Sequence, residues 1–115
     1  MKKIIYTPDA ADKLRNMNNA IYSQYGSKMA KSIMGSITKA IHGIADNENI
    51  GPSVEKMFGL QSPYRYIFVA RNYVFYSVEP KCIKIINIYN EKEDFMQSLF
   101  GIITILQETL DYWKE

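Results

Sequence analysis

The fold of this chain is decided by residues 64–94, which read YRYIFVARNYVFYSVEPKCIKIINIYNEKED. Three runs in this stretch are rich in β-branched and aromatic residues, and they cover residues 64–70, 73–79 and 82–90. Such runs, separated by short turns, are typical of consecutive antiparallel strands. Arg71-Asn72 forms the first break, and Pro80 belongs to the second because proline cannot donate a ladder hydrogen bond. The stretch therefore predicts a three-stranded antiparallel meander.

Alternation along the third run predicts which of its side chains share a face of the sheet. Counting every second residue places Ile83, Ile85 and Asn87 on one face. The other face then carries Lys84, Ile86 and Ile88. Neither set is wholly polar, so we expect the rest of the chain to cover both faces at least in part.

A strand and a helix are predicted ahead of the meander. Residues 3–7 form a short strand, Thr7 suits a helix cap, and Pro8 suits the first helical position. Gly26 is a favourable helix stop. Apolar residues at three- and four-residue steps predict one buried face, which consists of Leu14, Met17, Ile21 and Tyr25.

A second helix follows at once, with Ser27 as its predicted cap and Asp46 near its end. Its wide apolar stripe consists of Met29, Ala30, Ile33, Met34, Ile37, Ala40, Ile41 and Ile44. The tight turn between the two helices predicts an antiparallel hairpin that packs on the sheet. Residues 46–63 are rich in Asn, Gly, Pro and Ser and are predicted as a loop. We expect three apolar residues to tuck under it, namely Met57, Phe58 and Leu60.

The C-terminal segment is predicted to be helical. Its acidic beginning suits a helix N-terminus, and Phe95, Leu99 and Ile102 share a face. Beyond Gly101 the pattern fits either a continuation or a separate last helix. The predicted architecture is an α+β domain at residues 1–101, with a helical extension at residues 102–115.

Composition restricts the function classes. With 47% hydrophobic residues the chain can bury a real core, and a net charge of +2 does not by itself argue for nucleic acid. Residues 1–90 hold 12 Lys/Arg against 6 Asp/Glu, whereas residues 91–115 hold 2 against 6. A mildly basic body followed by an acidic segment suits a polyanion or an acidic protein as partner.

Neither a membrane segment nor a metal site is evident in the sequence. The apolar run at residues 102–106 is too short to span a bilayer, and no signal peptide is evident. Cys82 lacks a disulfide partner and is expected to be a buried small hydrophobe in a cytoplasmic protein. The single histidine, His42, has no ligand-like neighbours. We therefore expect no metal, no cofactor and no small-molecule ligand.

The ordered set of elements resembles the RelE/ParE superfamily of toxins from bacterial type II toxin–antitoxin pairs. The resemblance covers residues 3–101 and departs from the family in the final residues. It is carried by an ordered set of local matches, which are Tyr6-Thr7-Pro8 with Ala11 and Leu14, Tyr25-Gly26 with Ala30, Gly51-Pro52, Gly59-Leu60 before Tyr64-Arg65, Tyr73-Val74-Phe75-Tyr76-Ser77-Val78, residues 85–90, Asp94-Phe95 and Leu99-Phe100-Gly101.

The resemblance implies a growth-inhibiting toxin that a cognate antitoxin holds inactive. RelE-like members act as mRNA interferases on the ribosome, whereas ParE-like members bind DNA gyrase and are not nucleases. The resemblance also implies that Arg65 contacts phosphate if the chain is a nuclease. Arg71 is expected to be only a surface charge in the first turn.

RNA cleavage needs an activated 2′-hydroxyl, a cation at the phosphate and a proton donor. The candidates for these roles are Arg65, Lys84, Tyr89 and Lys92. However, the segment after the last strand carries Glu91, Glu93 and Asp94, which would repel a phosphate backbone. We therefore expect a ParE-like toxin that binds its target, with a RelE-like nuclease and a degenerate, non-toxic binding protein as the alternatives. An acidic antitoxin peptide is expected either along the hairpin, near Lys28, Lys31 and Lys39, or over the open sheet face.

Overall fold

Four strands and the helices that connect them are seen in the computed structural model, which describes residues 2–95 and residue 99. The elements are β1 (Lys3–Tyr6), α1 (Pro8–Tyr25), α2 (Ser27–Asp46), α3 (Val54–Phe58), β2 (Arg65–Val69), β3 (Asn72–Val78) and β4 (Cys82–Asn90). The α+β class and the helical hairpin are therefore confirmed. The remaining residues of the predicted C-terminal helix, and the division between residues 1–101 and 102–115, lie outside the described residues.

The sheet contains the predicted meander and one strand more, in the order β1-β4-β3-β2. Strands β2, β3 and β4 pair antiparallel, as predicted. However, β1 pairs parallel with β4, so the sheet is mixed. The side-chain pattern of β1 does not reveal this pairing, because a parallel partner depends on the long connection between the two strands and not on the local sequence. The first turn also lies one residue earlier than predicted, at Ala70-Arg71.

A β-bulge in β4 overturns the predicted alternation. Phe75 pairs with Asn87 and Tyr76 pairs with Ile85, so Ile86 is an extra residue without a partner in β3. Because of this extra residue, Ile88 joins Ile83 and Ile85 in the core beneath the helices. The prediction that Ile88 shares a face with Lys84 is therefore wrong.

The start of α1 is tied to the bulge by Thr7. Its hydroxyl accepts a hydrogen bond from the Ala10 N–H at 3.0 Å and donates one to the Ile86 carbonyl at 2.7 Å. The predicted cap is thus confirmed. Gly26, at φ 93°, ends α1 and also precedes α2, so Ser27 is the first residue of α2 and does not cap it. The prediction that Ser27 caps α2 is wrong. Gly26 is the single residue between the two helices, so it occupies both the C-cap position of α1 and the N-cap position of α2.

The core beneath the helices is mainly aliphatic and lies between the hairpin and one face of the sheet. Its buried members are Ala10, Ile37, Ile41, Ile44, Val74, Tyr76, Ile83, Ile85 and Ile88. Leu14, Met17 and Ile33 pack against it as predicted. Tyr25, in contrast, is 63% exposed and Met29 is 45% exposed. Helical spacing sets the direction of a side chain but not whether another element covers it.

A second, aromatic core lies on the opposite face of the sheet. Its buried members are Val54, Tyr66, Phe75 and Tyr89. The predicted loop at residues 46–63 contains the short helix α3, which Ser53 caps by accepting a hydrogen bond from the Lys56 N–H at 3.1 Å. Phe58 and Leu60 pack into this core as predicted, together with Phe95 and Leu99. Met57 is 56% exposed, so its predicted burial is wrong.

No helix in the part of the chain that the structure describes is long and apolar enough to cross a membrane.

Candidate binding channel and the predicted catalytic residues

Arg65 performs a structural task. Its Nη1 atom donates a 2.6 Å hydrogen bond to the Gly51 carbonyl, and the side chain is half-buried. Arg65 pairs with Tyr76 across the sheet, so its side chain lies on the face that carries the helices. The guanidinium therefore holds the loop that precedes α3.

Tyr89 lies on the other face, and its side chain is only 6% exposed. The hydroxyl accepts a hydrogen bond from Asn87 Nδ2 at 3.1 Å. Burial is the main cause that raises the pKa of Tyr89 above its ordinary value, so the phenol stays protonated at neutral pH. Lys13 lies 5.4 Å from the ring centroid, as a cation–π contact.

Lys84 and Lys92 complete the predicted set, and they do not join Arg65. Lys84 pairs with Ser77 on the face opposite Ile83 and Ile85, and its Nζ lies 3.7 Å from a Glu79 oxygen. Lys92 is exposed in the turn after β4. The structure thus separates Arg65, on the face that carries the helices, from Lys84 and Tyr89 on the other face, so the four candidate side chains do not converge on one site.

The described residues contain no group of three or more His, Cys, Asp or Glu that could hold a metal ion. His42 is exposed on α2. Cys82 is half-buried rather than buried, with its Sγ 3.9 Å from a Glu79 oxygen.

A channel of about 680 Å³ runs between α2 and β2, and we call it the β2 channel. One wall is built by α2, the other by β2, and the floor by the loop before α3. The lining residues are Ser36, Lys39, Ala40, Gly43, Ile50, Gly51, Pro52, Tyr66, Ile67 and Phe68. Its surface is mostly apolar, which suits a polypeptide or another ligand with apolar side chains.

Gly51 shapes the floor of the channel. A Cβ atom at this position would lie 2.1 Å from the Tyr66 carbonyl oxygen, so only glycine allows this approach of the loop to β2. The Tyr76 hydroxyl accepts a hydrogen bond from the Gly51 N–H at 3.0 Å and donates one to the Glu48 carbonyl at 2.9 Å. The sequence predicted only a Gly-Pro loop here, and nothing local predicted its attachment to Tyr76.

The outer edge of β2 is open at Phe68. The two-residue turn makes Val69 and Asn72 a hydrogen-bonded pair, so the N–H and C=O of Phe68 point away from β3. The Tyr66 N–H points the same way and is bonded to the Pro52 carbonyl at 3.2 Å. Residues 2–95 and 99 supply no backbone partner to Phe68, whose side chain is 51% exposed. Such an edge accepts an extended peptide as an additional strand.

The three lysines predicted to bind an antitoxin are all exposed on α2. Lys39 lies in the wall of the β2 channel. Lys28 lies three helical turns earlier on the same side of α2, about 16 Å away. Lys31 lies between them. The lysines therefore form a row that continues the channel toward the start of α2.

The fold is similar to that of a known toxin–antitoxin structure. A chain of the chromosomal ParDE TA system from P. aeruginosa superposes with a TM-score of 0.64 at 18% identity, over 78% of this chain and 96% of that chain. No family model and no curated protein matches the sequence. The similarity is one of fold, and it agrees with the resemblance to the RelE/ParE superfamily that the sequence suggested.

Proposed function

We propose that this chain is the toxin of a type II toxin–antitoxin pair, and that it arrests growth by binding a cellular protein. The fold shared with a chain of a ParDE system supports the toxin role. The ParE-like resemblance makes DNA gyrase the first target to test. A cognate antitoxin protein would neutralise the toxin in the cytoplasm.

The arrangement of the candidate catalytic groups favours target binding over RNA cleavage. Arg65 is on the helical face and is engaged with Gly51, whereas Tyr89 is buried on the other face. A nuclease would need a cation and a proton donor on one side of the same phosphate. This separation of Arg65 from Tyr89 is the observation on which the choice of mechanism rests.

The β2 channel is the proposed antitoxin site. An extended acidic segment that pairs with the open edge at Phe68 would bury apolar side chains between α2 and β2. Its carboxylates would then face Lys39, and further along α2 they would face Lys31 and Lys28. Charge complementarity of this kind mainly raises the rate of association.

The function is tested by inducing the chain without an antitoxin gene and sequencing the 5′ ends of RNA from the arrested cells. We expect growth arrest, intact messages, and inhibition of supercoiling by purified gyrase on addition of the purified chain. Cuts within translated messages would instead establish the RelE-like nuclease. The absence of arrest would leave the non-toxic binding protein.

The antitoxin site is tested with a triple variant in which Lys28, Lys31 and Lys39 are changed to Gln. We expect slower association with the protein encoded by the adjoining gene and a weaker dependence of the rate on salt. Lys81→Gln, an exposed lysine in the turn before β4, is the control. Equal rates and equal salt dependence for the triple variant and the control would place the antitoxin elsewhere.

A further inference from the structure

Three large apolar side chains are exposed at the end of the helical hairpin. Tyr22 is 60% exposed, Tyr25 is 63% exposed and Met29 is 45% exposed. They lie on both sides of the Gly26 turn, and neither core takes them up. Clustered exposed apolar residues of this size mark an interaction site more often than an ordinary surface.

A cavity of about 430 Å³ lies between this end of the hairpin and the β2–β3 turn. Its apolar wall comes from the two helices, and its polar rim comes from the turn and the end of β4. The lining residues are Met17, Ala20, Ile21, Tyr25, Ile33, Ala70, Arg71, Asn72, Asn90 and Glu93. We call this cavity, with the exposed side chains of Tyr22, Tyr25, Met29 and Arg71, the hairpin-tip surface.

The β2–β3 turn presents Arg71 in an unfavourable backbone conformation. Ala70 has φ 50° and Arg71 has φ 63°, whereas turns of this kind normally use Asn and Gly. The turn is nevertheless held firmly, because Asn72 Nδ2 donates to the Ala70 carbonyl at 2.7 Å and the Glu91 N–H donates to the Arg71 carbonyl at 2.9 Å. Strained residues that the surroundings hold in place are concentrated at functional sites.

Arg71 and two lysines of α2 supply the positive charge beside the hairpin-tip surface. Glu93 is paired with Lys13, with 2.6 Å between Nζ and a carboxylate oxygen. The side chain of Arg71 is 78% exposed and only loosely engaged, at 3.4 Å from Glu91. Lys28 and Lys31 are exposed on the adjoining turns of α2.

We infer that the hairpin-tip surface is where this protein grips its target, through an acidic segment of the target that inserts an apolar side chain into the cavity. Tyrosine and arginine are the residue types that most often dominate binding energy at protein interfaces, and here they surround a preformed cavity. Arg71, together with the exposed Lys28 and Lys31, favours carboxylates on the partner. The inference rests on the proposed toxin function and assigns the target to a surface other than the β2 channel.

The inference is tested by the amount of protein needed for growth arrest, measured at several induction levels with quantification of the folded chain. We expect Tyr22→Ala with Tyr25→Ala, and separately Arg71→Gly, to require at least tenfold more protein than the wild type. Arg71→Gly replaces a strained residue by the one that such a turn prefers, so a loss of arrest in this variant does not arise from unfolding.

Met57→Ala is the matched control, since it removes an apolar side chain of similar exposure from α3, outside both proposed binding surfaces. This variant should arrest growth and bind the antitoxin as the wild type does. Wild-type potency in the tip variants would overturn the inference while the toxin function stands. A loss of antitoxin binding alone in the tip variants would assign the surface to the antitoxin and would also overturn it. If the wild type itself does not arrest growth, the proposed function fails, and the inference fails with it.

Discussion

The two faces of the sheet are covered in different ways. The face beneath the hairpin carries a mainly aliphatic core, covered by the 18 residues of α1 and the 20 residues of α2. The opposite face carries aromatic residues, covered by the five residues of α3 together with Phe95 and Leu99. On the first face long helices supply the covering surface, whereas on the second face the rings mainly pack on one another.

The ring contacts show how the aromatic face is organised. The centroid of Phe75 lies 5.2 Å from that of Phe95, 6.0 Å from that of Tyr66 and 6.1 Å from that of Tyr89. Tilted and edge-to-face contacts at these distances stabilise beyond the apolar area that they bury. A few large rings can therefore cover a sheet face that lacks a long helix. Because these rings pack on one another, the loss of one ring destabilises the whole cluster.

The strongest test of this comparison is Phe75→Ala set against Ile41→Ala. We expect Phe75→Ala to lower the free energy of unfolding by about 3–5 kcal/mol, because it opens a cavity at the centre of the ring cluster. Ile41→Ala, on the helical face, should cost about 2–4 kcal/mol and less than Phe75→Ala. Urea denaturation measures both values. A cost below about 1 kcal/mol for Phe75→Ala would mean that the aromatic face is not part of the cooperative fold.

Gly51→Ala tests the loop that joins the two faces at the β2 edge. The added Cβ would clash with the Tyr66 carbonyl, so we expect a loss of about 1–3 kcal/mol in thermal or urea denaturation. Gly35→Ala, in open space in the middle of α2, should instead stabilise by up to about 1 kcal/mol. Equal effects of the two substitutions would contradict the close approach at Gly51.

Tyr76→Phe removes the hydroxyl that links the core beneath the helices to the loop that precedes α3. We expect a loss of about 1–2 kcal/mol, because the buried Gly51 N–H loses its acceptor. Burial is the main cause that raises the pKa of Tyr76 above 10.0, so the folded state holds this proton more tightly than the unfolded state.

That contribution of Tyr76 is fully present below pH 10 and is lost as the pH rises through the raised pKa. Wild-type stability should therefore fall more steeply above pH 10 than the stability of Tyr76→Phe. Parallel profiles of unfolding free energy against pH for the two proteins would refute this role.

Lys13→Met gives the smallest expected effect, a few tenths of a kcal/mol, because its pair with Glu93 is partly exposed. Burial is the largest influence on Glu93 and raises its pKa. The hydrogen bonds from Lys13 and the Asn90 N–H, with the charge of Lys13, outweigh burial and leave the pKa below 4.5. The contribution of Glu93 is therefore present above pH 4.5 and is lost as the pH falls through the lowered pKa. Acid titration of the unfolding free energy should show a smaller loss in Lys13→Met than in the wild type.

Local sequence signals were sufficient to predict the features that depend only on residues close together in the chain. The apolar spacing of α2 predicted its extent to Asp46, Thr7 and Gly26 marked the ends of α1, and the β-branched runs predicted the meander. Each of these features arises from neighbours in the chain, through side-chain periodicity, capping or turn chemistry. Arg65 was selected through the family resemblance, and Lys84, Tyr89 and Lys92 by residue type, but neither criterion determines which face of a sheet a side chain occupies.

Contacts between distant segments decided the rest. The parallel pairing of β1 with β4, the bulge at Ile86 and the attachment of Gly51 to Tyr76 join residues that are far apart in sequence. The bulge alone moved Ile88 to the helical face, and the hairpin geometry left Tyr25 exposed although its spacing is that of a core residue. The sequence by itself determined the elements and the class of fold. Only the tertiary structure decided which residues meet, because a pairing register and a covered surface depend on two segments at once.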